Sequence, residues 1–239
     1  MRNFKQLAAA CGLALAAQSA HAAAATFFFT NTPYRSAADI PAGFYAGGAP
    51  DLLENFEDGS LHASLSASAG SVIGHLNGQG DSVDADDGRV DGRASSGRSW
   101  LSASGVTFTF TGARLPTAFG VVWTDGSGAV TFSASAGDGS VLGTLIGSGF
   151  ADGSFIGAVD EDRFFGVTYA GGIRSISISN AGGGLELDHV QYGTMATPVP
   201  LPAAGWLMLT GLIGLAARRC RIGGFQIRGR IYLNTITFK

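Results

Sequence analysis

The part of the chain between its two ends contains no cysteine. Cys11 and Cys220 are the only cysteines in the 239-residue sequence, the first inside an N-terminal apolar stretch and the second just after a C-terminal one. The residues between them therefore cannot form disulfides, supply a thiolate nucleophile or bind a metal through sulfur. The stability of a domain there must come from a packed core, for which roughly 175 residues suffice.

Positive charge is also scarce in the middle of the sequence. All 18 acidic residues fall between Asp39 and Asp188, and residues 23–196 as a whole hold seven arginines and no lysine, which gives this part of the chain a net charge near −11. Nucleic acids and anionic membrane surfaces are bound through clustered Lys and Arg, so we expect no nucleic-acid partner. Divalent cations and neutral polysaccharides are compatible with this charge.

Catalytic signatures are missing as well. The sequence has no His-Glu-x-x-His and no Gly-x-Ser-x-Gly motif. Asp188 and His189 could belong to a catalytic triad, but adjacent residues of a strand point to opposite faces of a sheet. A glycosidase active site with two carboxylates remains an alternative, because among 18 acidic residues some pair will lie at the separation that such enzymes use. We expect no enzymatic activity, and a polysaccharide hydrolase is the alternative.

The N-terminus has the features of a signal peptide. Arg2 and Lys5 precede the apolar stretch LAAACGLALAA (7–17), and AQSAHA (17–22) provides small residues at Ala20 and Ala22. A basic segment, a short apolar segment and an Ala-x-Ala cleavage pattern are typical of secretion signals. Residues 1–22 are therefore predicted to direct export and to be removed.

The C-terminus contains a short apolar segment between prolines and arginines. Residues 203–217 are uncharged and apolar apart from Thr210, and they follow Pro200 and Pro202 and precede Arg218 and Arg219. The segment is at the short limit for a membrane-spanning helix. The arginines fit the cytoplasmic side, in agreement with export of everything before them. We predict one transmembrane helix over 203–217.

The C-terminal segment resembles a bacterial sorting signal. VPLPAAGWLMLTGLIGLAARR (199–219) is similar to the VPLPA variant of the PEP-CTERM signal in its proline motif, brief apolar helix and basic cluster. The resemblance covers residues 197–221 and implies an exosortase-type membrane protease as partner, anchoring in the inner membrane, and later transfer to the cell surface or release. It also implies that the signal residues are Val199, Pro200, Leu201, Pro202, Arg218 and Arg219. Residues 222–239 form an atypical tail, since such signals usually end soon after the arginines.

The exported range, residues 23–196, reads as a series of short strands. VTFTFTG (106–112), AVTFSAS (129–135) and SISISN (175–180) alternate with period two, and turn signals such as TDGSG (124–128) and AGDGS (136–140) separate them. Short strands at roughly ten-residue spacing with Asp-Gly turns are typical of an antiparallel sandwich. The sequence predicts an all-β, jelly-roll-like β-sandwich with one long acidic loop over residues 77–98.

Two groups of acidic residues are candidate calcium ligands. Closely spaced carboxylates on a Gly-containing loop can supply the oxygen ligands that Ca²⁺ takes, although the spacing is not that of an EF-hand. The acids of the long loop are Asp81, Asp84, Asp86, Asp87 and Asp91. A second site is suggested by analogy with the structural calcium of carbohydrate-binding jelly rolls and comprises Glu57, Asp58 and Asp188, with Glu54 and Glu186 nearby in sequence. The alternatives are a solvated acidic loop and two acidic surface turns.

Five phrases resemble an ectodomain common in exported bacterial proteins with sorting tails. They are LENFEDG (53–59), DSVDADDG (81–88), VVWTDG (121–126), EDRFFGV (161–167) and LELDHVQYG (185–193). This resemblance supports the sandwich and implies no mechanism.

The sequence therefore predicts an exported structural or adhesive protein of the extracellular matrix or biofilm, in contact with extracellular polysaccharide. A calcium-dependent carbohydrate-binding module is the alternative. Such a module would need exposed aromatics, and Trp100, Trp123, Tyr169 and Tyr192 are instead expected to pack in the core.

Overall fold

The computed structural model of the protein describes residues 24–74, 81–83, 97–151, 153 and 160–196. The chain divides into two compact units, Met1–Ala196 and Thr197–Lys239. The predicted signal peptide (1–22), sorting signal (197–221) and tail (222–239) lie outside the described residues, as does the apolar segment 203–217. Within the described ranges no helix has the length and apolarity that crossing a membrane requires.

The described part of the chain folds into twelve strands in two antiparallel sheets. Two 3-10 turns, Ala37–Asp39 and Ala46–Gly48, are the helical elements of these residues. The strands are β1 Thr26–Phe29, β2 Leu52–Glu54, β3 Leu65–Ala67, β4 Ser71–Gly74, β5 Arg98–Ser102, β6 Gly105–Phe110, β7 Ala118–Gly126, β8 Val130–Ala136, β9 Val141–Gly147, β10 Arg163–Thr168, β11 Ile173–Asn180 and β12 Leu185–Gly193.

One sheet has seven strands in the order β1-β10-β7-β12-β5-β4, with β2 also paired to β12, and the other has five in the order β3-β6-β11-β8-β9. Most connections from β5 onward cross from one sheet to the other. The prediction of an all-β, antiparallel sandwich is confirmed.

Period-two alternation determines which side of the five-stranded sheet faces the core. Along β6, Val106, Phe108 and Phe110 are buried while the threonines between them are half-buried, and β8 alternates in the same way. Because successive side chains of a strand point to opposite faces, a sequence such as VTFTF places every apolar residue on one face. The apolar face of this sheet packs on the seven-stranded sheet.

The turn between β8 and β9 shows why Asp-Gly-Ser marks a hairpin here. Asp138 accepts hydrogen bonds from the backbone N–H of Ser140 at 2.9 Å and from its hydroxyl at 2.6 Å. Gly139 has a φ of +85°, a conformation that glycine adopts without steric cost. The predicted turn at 136–140 is confirmed.

Aromatic rings join the two sheets across the core. Phe165 of β10 is fully buried, and its ring lies 5.9 Å from that of Phe132 on β8 and 5.1 Å from that of Phe29 on β1. Trp123 of β7 is also fully buried, and its indole N–H donates to Asn180 at 2.8 Å. The rings therefore fix how the sheets face each other, and buried aromatics of this kind dominate core energetics.

A second apolar cluster covers the outer face of the seven-stranded sheet. Val122 and Phe164 point away from the inter-sheet core and pack with Tyr34, Phe44 and Val83, which come from segments outside the strands. For this reason every residue of β7 is buried, on both faces of its sheet. The cluster therefore also shields polar side chains on this outer face from water, among them several carboxylates.

Candidate functional site

Six buried carboxylates gather at one end of the seven-stranded sheet, where β7, β10 and β12 run side by side. We call them the acidic cluster: Asp81, Asp125, Glu161, Asp162, Glu186 and Asp188, all at most 9% exposed. Antiparallel pairing produces the gathering, since Glu186 of β12 lies opposite Asp125 of β7, and β10 begins opposite Trp123 of the same strand. Burying ionised carboxylates is costly unless their charges are compensated.

The short segment 81–83 is held on the cluster by carboxylates of β12. The backbone N–H of Asp81 donates to Glu186 at 2.6 Å. The N–H of Val83 and the hydroxyl of Ser82 donate to Asp188, at 2.8 and 3.1 Å. These bonds fix the segment and bring the Asp81 side chain among the other acids, so the predicted loop ligand Asp81 and the predicted strand ligand Asp188 do come together.

Asp162 is the least compensated member of the cluster. Its side chain is fully buried, and neither carboxylate oxygen has a hydrogen-bond partner among the described residues. Burial and the charges of Asp81, Asp188 and Glu161 raise the pKa of Asp162 well above its usual range. The nearby Arg163 guanidinium donates to the backbone carbonyls of Asp160 and Asp162 at 2.9 and 2.8 Å, so it does not neutralise the Asp162 carboxylate by a direct bond.

Glu186 is perturbed in the same direction. Burial raises its pKa to about 7, and the Asp125 charge adds to the rise, while hydrogen bonds from the Asp81 N–H and the Ser99 hydroxyl oppose it. Two carboxyl groups of the cluster therefore hold their protons more tightly than free acids do.

Asp188 and His189 lie on the same, outer face of the seven-stranded sheet. His189 has a φ of +47° and lies at an irregularity in the pairing of β12 with β7. Its Nδ1 is 3.1 Å from the hydroxyl of Tyr34, which belongs to the cluster on the outer face, and Asp188 contacts Val83 on that face too. The prediction that the two side chains point to opposite faces is therefore wrong, because a bulge breaks the alternation.

The other predicted ligands have different surroundings. Asp84, Asp86, Asp87 and Asp91 lie outside the described residues. Glu57 accepts a hydrogen bond from the backbone N–H of Arg98 at 2.6 Å. Asp58 is exposed, and Ser60 lowers its pKa by donating two hydrogen bonds.

Glu57 and Asp58 do not come together with Asp188. In the described parts of the chain, no three His, Cys, Asp or Glu side chains form a ready-made metal-ligand group.

The sequence interpretation missed Asp125, Glu161 and Asp162 as site residues. Each of them flanks a predicted strand, in VVWTDG and EDRFFGV. Their common signal was an acid directly at the end of a buried strand, but their proximity depends on which strands pair.

A second polar feature lies on the outside of the five-stranded sheet. We call it the hydroxyl face: the outward serines and threonines of β6, β8 and β11. Ser177 lies between Thr107 and Ser133 in the pairing, and its hydroxyl is 2.7 Å from that of Thr107. A shallow depression of about 260 Å³ runs over this row. It is lined by Ser68, Gly105, Val106, Thr107, Thr131, Ser133, Ser177, Ile178 and Ser179, none of them charged or aromatic.

The four candidate aromatics are not part of this face. Trp100 and Trp123 are buried in the inter-sheet core, and Tyr169 and Tyr192 are partly buried against it. The prediction that they pack in the core is confirmed.

Comparison with known proteins gives no family assignment. No family model and no curated protein matches the chain. Among solved structures, the enzymatically active domain of tailspike protein 4 of bacteriophage CBA120 matches with a TM-score of 0.33 and 13% identity over 62% of this chain. An exo-beta-agarase matches with a TM-score of 0.33 and 10% identity over 65% of it. The chain spans only 22% and 26% of the length of these two proteins.

A third structure, CsCBM6-3 from Clostridium stercorarium in complex with cellobiose, matches with a TM-score of 0.26 and 18% identity, over 60% of this chain and 93% of that one. Matches with TM-scores this low carry no argument about function.

Proposed function

We propose that the protein is an exported, non-catalytic structural or adhesive component of the extracellular matrix, and that it contacts neutral polysaccharide through the hydroxyl face. In this proposal residues 1–22 direct export, and the segment 197–221 anchors the protein in the inner membrane. An exosortase-type protease then acts near Val199–Pro202 and passes the sandwich to the cell surface or the surroundings.

The observation that carries the proposal is the hydrogen-bonding character of the hydroxyl face. Each outward Ser or Thr hydroxyl can both donate and accept, as can each hydroxyl of a sugar. The rows repeat at strand spacing, which brings neighbouring hydroxyls within reach of one chain of sugar units. The depression has no charged lining residue, which suits an uncharged ligand in an exported range whose net charge is near −11.

Catalysis is the less supported alternative. The acidic cluster contains carboxylates, as glycosidases do, but all six are at most 9% exposed, so a polysaccharide could not reach them in this conformation. A calcium-dependent binding module is the other alternative, and it differs from the proposal in requiring the cation for sugar binding.

The proposal is tested by binding to insoluble neutral polysaccharides. Full-length protein purified in mild detergent should co-sediment with cellulose or another neutral glucan, and the triple variant Thr107→Val/Ser133→Ala/Ser177→Ala should bind at least about tenfold more weakly. Three lost hydrogen bonds of about 0.5–1.5 kcal/mol each account for a change of that size. Thr→Val keeps the β-branched shape that strands favour.

The matched control is Ser71→Ala, which removes an exposed hydroxyl from β4 at the edge of the other sheet and should bind like the unmodified protein. Equal binding by the triple variant would refute the role of the hydroxyl face. Release of reducing ends during the assay would instead support the hydrolase, and loss of binding in chelator would support the calcium-dependent module.

A further inference from the structure

A small pocket lies at one end of the sandwich, and we call it the end pocket. It is an open depression of about 120 Å³ between the β6–β7 loop, the end of β12 and the residue before β2. Its lining residues are Asp51, Phe110, Arg114, Leu115, Pro116, Tyr192 and Thr194. Since a water molecule takes up about 30 Å³, the end pocket has room for one small polar unit rather than for a length of polymer.

The aromatic wall of the end pocket is held in place by the fold. Tyr192 is partly buried, and its ring contacts those of Phe110 and Phe119 edge-on at centroid distances of 4.9 and 5.9 Å. Its hydroxyl donates a hydrogen bond to that of Ser64 at 2.7 Å. A side chain that is already fixed in the free protein loses little conformational entropy when a ligand packs against it.

The loop that carries Arg114 is anchored on both sides. Before it, the backbone N–H of Thr111 donates to the carbonyl of Ser64 at 2.9 Å. After it, the N–H of Thr117 donates to the carbonyl of Gly193 at 3.0 Å. The end pocket is therefore formed before any ligand arrives, as is usual for small-molecule sites.

The rim of the end pocket carries one positive and one negative charge. Arg114 is exposed, and no described residue is an ion-pair or hydrogen-bond partner of its guanidinium. Asp51 is exposed as well, and its Oδ2 accepts one long hydrogen bond, of 3.4 Å, from the hydroxyl of Thr194. The rim thus offers several N–H donors and a carboxylate acceptor above apolar walls, and its two charges cancel.

We propose that the end pocket binds a single neutral sugar unit. A pyranose ring has C–H groups on its faces and hydroxyls, which both donate and accept, around its edge. The faces pack on the apolar walls, Arg114 donates to sugar oxygens, and Asp51 accepts from neighbouring hydroxyls. The end pocket and the hydroxyl face share no lining residue, so this inference goes beyond the proposed function and does not depend on it.

The charges of the end pocket favour a neutral sugar over two related ligands. A sugar acid brings a carboxylate close to that of Asp51, and the net charge near −11 of the exported range opposes the approach of anions. An amino acid matches both charges, but ion pairs with exposed side chains contribute little. A sugar instead uses the rim and the apolar walls together.

The inference is tested by saturation-transfer difference NMR on the full-length protein in a detergent without a sugar headgroup. Among glucose, galactose, mannose and N-acetylglucosamine at millimolar concentration, at least one should receive saturation from the protein. Arg114→Gln should weaken its binding at least about tenfold, because hydrogen bonds from a charged donor are the stronger ones. Arg35→Gln is the matched control: it removes another exposed arginine, which pairs with Asp160, and should bind like the unmodified protein.

Asp51→Asn gives a readout that a merely structural role would not move. The uronic acid of the sugar that binds should bind the unmodified protein at least about tenfold more weakly than the sugar itself, because Asp51 repels its carboxylate. The amide of Asp51→Asn carries no charge and should reduce this difference to about threefold or less. Both Arg114→Gln and Asp51→Asn should keep the Tm of the unmodified protein, since the two side chains are exposed.

Three results would overturn the inference: no saturation of any sugar in the panel, undiminished binding by Arg114→Gln, or tighter binding of the uronic acid than of the neutral sugar. Binding of alanine without binding of sugars would also overturn it and would indicate an amino-acid site. The triple variant of the hydroxyl face should still bind the sugar in the end pocket, so failure of one proposal is distinguishable from failure of the other.

Discussion

In a chelating buffer the protein should become less stable as the pH rises from 5 to 8, with a fall in Tm of roughly 5–10 °C. This direction is the reverse of that expected for acids held in salt bridges. Its physical cause is Glu186, whose carboxyl group is buried against Asp125 and has a pKa raised to about 7 from an ordinary value of 4.5.

The sign follows from proton binding. A folded-state pKa above that of the unfolded chain means that the folded protein holds the proton more tightly. The contribution of Glu186 to stability is therefore fully present below about pH 4.5 and is lost as the pH rises through about 7. A shift from 4.5 to about 7 corresponds to a contribution on the order of 3 kcal/mol. The raised pKa of Asp162 adds an effect of the same sign.

The measurement is a series of thermal melts in EDTA at constant ionic strength between pH 5 and pH 8. Glu186→Gln, which is neutral at every pH, should flatten the slope. Asp138→Asn should leave it unchanged, because Ser140 lowers the pKa of that exposed acid and its titration lies far below this window. A Tm that stays constant or rises toward pH 8 in the unmodified protein would contradict the prediction.

The strands could be predicted because their signals are local. VTFTFTG, AVTFSAS and SISISN alternate so regularly that burial of their apolar residues on one face follows from the pattern, and β6, β8 and β11 confirm it. Asp-Gly-Ser at 138–140 predicted its turn for an equally local reason, since one carboxylate bonds to the serine two residues on.

The acidic cluster could not be predicted in full because it depends on long-range pairing. Asp162 directly precedes β10 and Asp188 lies within β12, and both meet Asp81 only because β10 and β12 pair with β7 and a loop segment crosses their outer face. The bulge at His189 cannot be read from alternation either, since LELDHVQY shows no glycine or proline at that position.

The hydroxyl face, like the acidic cluster, depends on long-range strand pairing. Three polar stripes are visible in the sequence, but the row that joins Thr107, Ser177 and Ser133 exists because β11 lies between β6 and β8.

Phe165→Ala should be the most destabilising single change considered, with a loss of about 3–5 kcal/mol in the free energy of unfolding. Phe165 is fully buried on β10, and its ring contacts Phe29, Phe132 and Phe150 at centroid distances of 5.1, 5.9 and 6.2 Å. Truncation to alanine removes the buried apolar area and leaves a cavity between the sheets that neighbouring rings can fill only in part. The expected loss is a large share of the roughly 5–15 kcal/mol that stabilises a typical domain.

Urea unfolding of the full-length protein measures this effect as a lower midpoint at an unchanged slope. Phe165→Leu, which keeps much of the volume, should lose less than the alanine variant and so distinguishes cavity formation from removal of an aromatic ring. Ile146→Ala is the matched surface control, because Ile146 is 66% exposed on β9 and its truncation should change stability by no more than about 0.5 kcal/mol. A Phe165→Ala midpoint as close to the unmodified value as that of Ile146→Ala would mean that the rings around Phe165 do not hold the two sheets together.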